Sequence, residues 1–182
     1  MDSHLNKYGV SAQEALVKPA LLGLTINLGL PLTVYLIASW LGANGSVTPI
    51  GDTPPVLHLA VFGGVAVMDT IVAFVLRRKL IEPPAIRSRE TFQKDFNNFV
   101  FATSLILSVQ TALISVLGFV FFYLTGALTE TALFCVFSVV VWQVARPREG
   151  FVAAMLEKQV RFVDEGRFTH FRGFGNLPTE TK

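Results

Sequence analysis

Residues 96–145 read FNNFVFATSLILSVQTALISVLGFVFFYL (96–124), TG (125–126) and ALTETALFCVFSVVVWQVA (127–145). The first block contains no Asp, Glu, Lys or Arg. A helical segment needs only about 20 apolar residues, at roughly 1.5 Å each, to cross a hydrocarbon core. The second block is nearly as apolar, and Thr125-Gly126 leaves room only for a tight reversal. Two spans joined so closely are antiparallel neighbours. The stretch predicts a helical hairpin in a membrane.

Toward the N-terminus, two further apolar runs, at 20–41 and 55–76, are long enough to span. The whole chain agrees with them: 52% of its 182 residues are hydrophobic, 16 are Phe, 15% are charged and the mean hydropathy is +0.54. That is too apolar for a soluble domain of this size. The expected fold is all-α, an integral membrane four-helix bundle of two antiparallel hairpins with a C-terminal cytoplasmic amphipathic helix. Residues 1–19 form a cytoplasmic segment, 20–145 the membrane domain, and 146–182 a cytoplasmic helix and tail.

Charge sets the orientation. The link 42–54 (GANGSVTPIGDTP) and the Thr125-Gly126 turn carry no Lys or Arg. Lys7 and Lys18 precede the first span, Arg77, Arg78, Lys79, Arg87, Arg89 and Lys94 fill the second connection, and the other seven basic residues follow Ala145. With all 15 on one side, the positive-inside rule puts both termini in the cytoplasm of a multi-pass cell-membrane protein. The first apolar run exceeds a signal-peptide core of about 7–15 residues, which predicts an uncleaved anchor. The net charge of +2 and pI near 8.9 come from these inner loops, which face anionic headgroups, so no nucleic-acid partner is expected.

Glu82-Pro83-Pro84 ends any helix continuing from the second span. Ser88 reads as the N-cap of a restart on the cytoplasmic surface. In 149–165, Phe151, Val152, Met155, Leu156, Val160 and Val163 alternate at helical spacing with Glu157, Lys158, Arg161 and Asp164. This predicts an amphipathic helix lying on the inner interface or against another protein. Phe151, Met155, Leu156, Arg161, Phe168 and Phe171 are its candidate docking residues.

Polar residues inside the spans need a reason, because an ionisable group in hydrocarbon costs several kcal/mol. Asp69 is the one carboxylate expected inside a span, eight residues or roughly 12 Å before Arg77. His58, eleven residues earlier, lies on the same helical face roughly 16 Å away. Together they read either as a proton or cation path or as helix glue beside a wet outer histidine. In the third span, Ser104, Ser108, Thr111, Ser115 and Gly118 make a stripe of small residues suited to close helix packing. Gln110 lies about 100° from that stripe, available to another helix or subunit. Pro31 deprives the Asn27 carbonyl of its helical partner, giving either a kink met locally or an ion contact. Trp40, Tyr123 and Trp142 read as interface anchors, and Cys135, the single cysteine, as a small apolar residue.

No His-Glu-x-x-His, nucleophile elbow, phosphate loop or Cys/His cluster is present. Bis-histidine haem needs two membrane histidines, and only His58 falls in a span. The expectation is a non-enzyme with no cofactor and no metal.

The run Ser108-Val-Gln110-Thr-Ala-Leu-Ile-Ser-Val-Leu-Gly118, after an arginine-rich loop and before the Gly126 turn, resembles the ion-binding hairpin of rotary ATPase proteolipids. It is similar as well to small four-helix bacterial membrane proteins that share this hairpin and close on a Pro-Arg-Glu such as Pro147-Arg148-Glu149. The proteolipid pattern has a carboxylate eight residues before the glycine, where this chain has Gln110. Gln110 cannot be protonated and released, so the resemblance implies the architecture without the pumping. Two functions follow as expectations. One is a non-catalytic membrane subunit or assembly protein that packs on other membrane subunits, or on a second copy of itself, through its small-residue face and docks a cytoplasmic partner through residues 149–182. The other is a small proton, ion or solute transporter using Asp69 and His58, with Gln110, along a path between helices.

Overall fold

The computed structural model describes residues 8–47 and 55–169. Among them are five α-helices and no strand: α1 Ala12–Ala43, α2 Pro55–Lys79, α3 Phe92–Thr125, α4 Leu128–Ala145 and α5 Glu149–Asp164. The first four are long and apolar enough to cross a membrane. Helix α3 touches α1, α2 and α4, and α1 also touches α4 and α5. Half of α3's most apolar window is buried, against 11% of α2's. Helix α2 is therefore attached by one face, on which Ala66 and Ala73 are buried.

The α3–α4 reversal follows from Gly126. Its φ of 69° is left-handed, a conformation costly for residues with a Cβ, and its N–H caps α3 by donating to Phe122 O at 2.7 Å. Thr125 Oγ1 accepts from the Ala127 N–H at 3.2 Å. Along the hairpin, Ser138 Oγ donates to Thr111 O at 2.9 Å and Thr131 Oγ1 to Gly118 O at 3.3 Å. A Cβ at Gly118 would stand 2.6 Å from Phe134 Cβ, so only glycine lets these helices lie this close.

On the other side of α3, α1 brings Gly23 against Ser108 and Trp142. Trp142 is thus a packing residue with 2% of its surface exposed, and not the interface anchor expected from its position. Gly23 leaves the space that the indole fills. Trp40 and Tyr123 are exposed at the opposite helix ends.

Helices α1 and α3 begin before their expected starts at 20 and 96, and α2 runs past 76 to Lys79. Hydropathy marks where a helix meets water, but a helix continues as long as its next turn has protein to pack on. Here it has: Val10, Ala15, Ile86, Phe92, Phe96, Val152, Met155, Leu156 and Val163 belong to one buried cluster. Glu130 lies in the first turn of α4, inside the expected 127–145 span, so Asp69 is not the one carboxylate within the expected spans. Glu130 sits at the N-terminal end, where the helix dipole favours it.

That cluster corrects the reading of 149–165. The apolar face of α5 is turned onto its own chain, and Met155 and Leu156 are buried there, unavailable to a bilayer surface or a docking partner. Phe151 and Phe168 are partly buried against the same cluster. Arg161 stays exposed beside Glu157, 3.8 Å away. Phe171 lies outside the described residues. The covering surface comes from the start of α1, from Ile86 in the connection and from the first turns of α3, which the periodicity of α5 cannot reveal.

Two buried side chains hold the connection 80–91. Gln159, fully buried on α5, accepts from the Ala85 N–H at 2.9 Å and donates to Pro83 O at 3.1 Å. Asp95 Oδ2 accepts from the Arg87 N–H at 3.0 Å and from Thr91 Oγ1 at 2.7 Å. The N-cap of α3 is Thr91 and not Ser88. Ser88 Oγ instead accepts from the Thr91 N–H at 3.3 Å, a turn before the helix.

Candidate intramembrane site

Asp69 stands three residues after Ala66 and four before Ala73, so it shares the face that α2 turns to α3. Opposite it, Gln110 stands four residues before Ile114, which is buried in a cluster with Ala66, Phe121 and Phe134. Gln110 Nε2 donates to Asp69 Oδ1. Asp69 Oδ2 is buried without a hydrogen-bond partner among the described residues. A span carboxyl group is thus fixed through one oxygen and open at the other.

The remaining candidates do not join this pair. Asn27 is fully buried on the α1–α3 side, where its Oδ1 accepts from Thr111 Oγ1 at 2.8 Å and its Nδ2 donates to Gly23 O at 3.1 Å. Thr111 also has Leu107 O at 2.9 Å and Ser108 O at 3.1 Å. Its single hydroxyl hydrogen chooses among three acceptors. The Asn27 side chain is satisfied by a helix contact, and no ion is needed to explain it. His58 lies three residues into α2, with Nδ1 buried and unpartnered among the described residues. It makes no contact with Asp69, and eleven residues of helix separate them by about 16 Å.

The stripe residues Ser104, Ser108, Thr111 and Ser115 are all buried, as is Gly118. Ser104 Oγ and Ser115 Oγ have no partner among the described residues. No group of three or more His, Cys, Asp or Glu side chains capable of holding a metal occurs among the described residues.

The Asp69–Gln110 pairing itself is absent from the sequence reading. One signal for it exists: Asp69 is fourteen residues after the start of α2 and Gln110 fifteen before the end of α3, so in antiparallel spans they meet at one depth. Gln159 also escaped notice, because a lone polar residue on an amphipathic helix looks like part of the wet face. Compared with models of protein families, with curated proteins and with solved structures, the chain matches none.

Proposed function

We propose that the chain is a small multi-pass protein of the cell membrane, its four long helices bundled in the bilayer with both ends cytoplasmic. In this reading it binds a proton or small monovalent cation at Asp69 in the course of carrying it across. The observation that supports the ion reading is the Asp69–Gln110 pair. A carboxyl group that serves only as helix glue gains a partner at each oxygen, because an unmet polar atom in hydrocarbon costs free energy. A group that takes up and releases an ion keeps one oxygen open, and Gln110 holds it in place through the cycle. His58 lies toward the outer end of the same helix as the entry-side group. Nothing in this scheme calls for a cofactor or a covalent step.

The test is ion flux into vesicles containing the purified protein, followed with an entrapped pH dye and with sodium and potassium gradients. Asp69→Asn keeps the shape and the Gln110 contact but cannot exchange a proton, so flux should drop by about tenfold or more, toward the protein-free leak. Equal flux in the variant would overturn the reading.

A second reading, a non-catalytic membrane subunit, is supported by α2, most of whose circumference is open. A neighbouring membrane protein or a second copy would cover it. A defined partner recovered in mild detergent, together with an inert Asp69→Asn variant, would decide for the subunit.

A further inference from the structure

The basic end of α2 faces the end of α4. Arg77 Nη1 donates to Val144 O at 3.0 Å, and the Arg77 guanidinium stands 4.6 Å from the centre of the Phe151 ring. Arg148, the N-cap residue of α5, reaches back to Gln143 O with Nη2 at 3.4 Å. Val144 and Gln143 are neighbours, so the two guanidinium groups meet adjacent carbonyls at the end of α4. Neither has a carboxylate at ion-pair distance among the described residues, whereas Arg161 and Arg167 each have one. Glu149, next to Arg148 in the chain, accepts from Gln13 Nε2 at 3.0 Å on the α1 side. The 16-residue α5 begins here, adding the positive end of its dipole.

Capping of the α4 carbonyls accounts for one N–H of each guanidinium, out of five. Two uncompensated arginines beside a helix N-terminus leave a place for an anion. What the anion is attached to follows from the surface next to it. Between α2 and α4 runs an apolar groove of about 450 Å³, lined by Leu59, Gly63 and Val67 on one side and Val136, Phe137 and Val140 on the other. Val140 is one turn from Val144, so the groove runs along the helices toward the arginines. A free phosphate would occupy the charges and leave the groove empty.

We propose that this corner binds one anionic phospholipid, its phosphate held by Arg77 and Arg148 and an acyl chain laid along the α2–α4 groove. Basic pockets between spans recognise acidic headgroups in this way. The site uses neither Asp69 nor Gln110.

The full chain, placed in nanodiscs of equal phosphatidylcholine and phosphatidylglycerol, is released in a native mass spectrometer and its retained lipids are counted. Phosphatidylglycerol should be retained preferentially. Arg77→Gln and Arg148→Gln should each reduce that preference about fivefold, and together about thirtyfold. Arg161→Gln, remote and already paired, should leave it unchanged. Gly63→Leu alters no charge and enters open space, since a Cβ there meets nothing within 4 Å. By filling the groove it should still reduce retention several-fold. Equal retention of both lipids, an Arg161→Gln loss as large as the Arg77→Gln loss, or a Gly63→Leu variant that binds normally would overturn the site. Displacement of the lipid by excess inorganic phosphate would assign the arginines to a soluble anion instead.

Discussion

Gln110 and Thr111 are adjacent in the chain and serve different helices, one reaching Asp69 on α2 and the other Asn27 on α1. A rotation of about 100° per residue is enough to separate them. Thr111→Val keeps the shape, removes the donor to Asn27 and leaves a buried amide oxygen unmet. The expected loss is about 0.6–2 kcal/mol, the range of single hydrogen bonds between membrane helices. It is read as a lower unfolding midpoint in detergent, and an unchanged midpoint would mean that Asn27 is satisfied elsewhere. At this scale the sequence was informative about kinds of residue. Asp69, Gln110, Asn27 and Thr111 are all visible as polar atoms in apolar runs. Their pairing was hidden, because it depends on the rotation of each helix and on depth compared across spans far apart in the chain.

Glycine decides how close the helices come, and its two contact positions differ. A methyl group at Gly118 would meet Phe134 Cβ at 2.6 Å, an atom fixed to its backbone, so α3 and α4 would have to part. At Gly23 the nearest atom is Ser108 Oγ at 2.9 Å, which can turn away about one bond, with the indole of Trp142 behind it. Gly118→Ala should therefore cost about 1–3 kcal/mol and Gly23→Ala less, in chemical unfolding of the two variants side by side. The reverse order would show that the indole, and not the Phe134 backbone, is the stiffer wall. The four long apolar helices were legible from hydropathy and the α3–α4 turn from Thr125-Gly126. The true starts of α1 and α3 were not, since Ala15, Phe92 and Phe96 are buried by partners that no local window contains. Trp142 was misplaced for the same reason: a tryptophan near a span end looks alike whether it faces lipid or a glycine.

Taken as a whole, the molecule has a membrane-length body and a second, separate core at its basic end, where α5 closes over the start of α1, Ile86 and the first turns of α3. Met155 is fully buried in that core. Met155→Ala should remove about 2–5 kcal/mol of local stability. The sign would be faster protease cleavage within 80–91 while the spans stay protected, and unaltered cleavage would mean that α5 does not secure the connection. This arrangement could not be read from α5 alone, whose pattern fits a lipid surface and a protein surface equally well. Gln159 ties α5 to Pro83 and Ala85, 76 and 74 residues earlier in the chain. Domains are made from the N-terminus forward. The fastening of the connection between α2 and α3 is therefore translated only after α4. A chain released before Gln159, with all four long helices already made, would lack that clasp and leave residues 80–91 unfastened by α5.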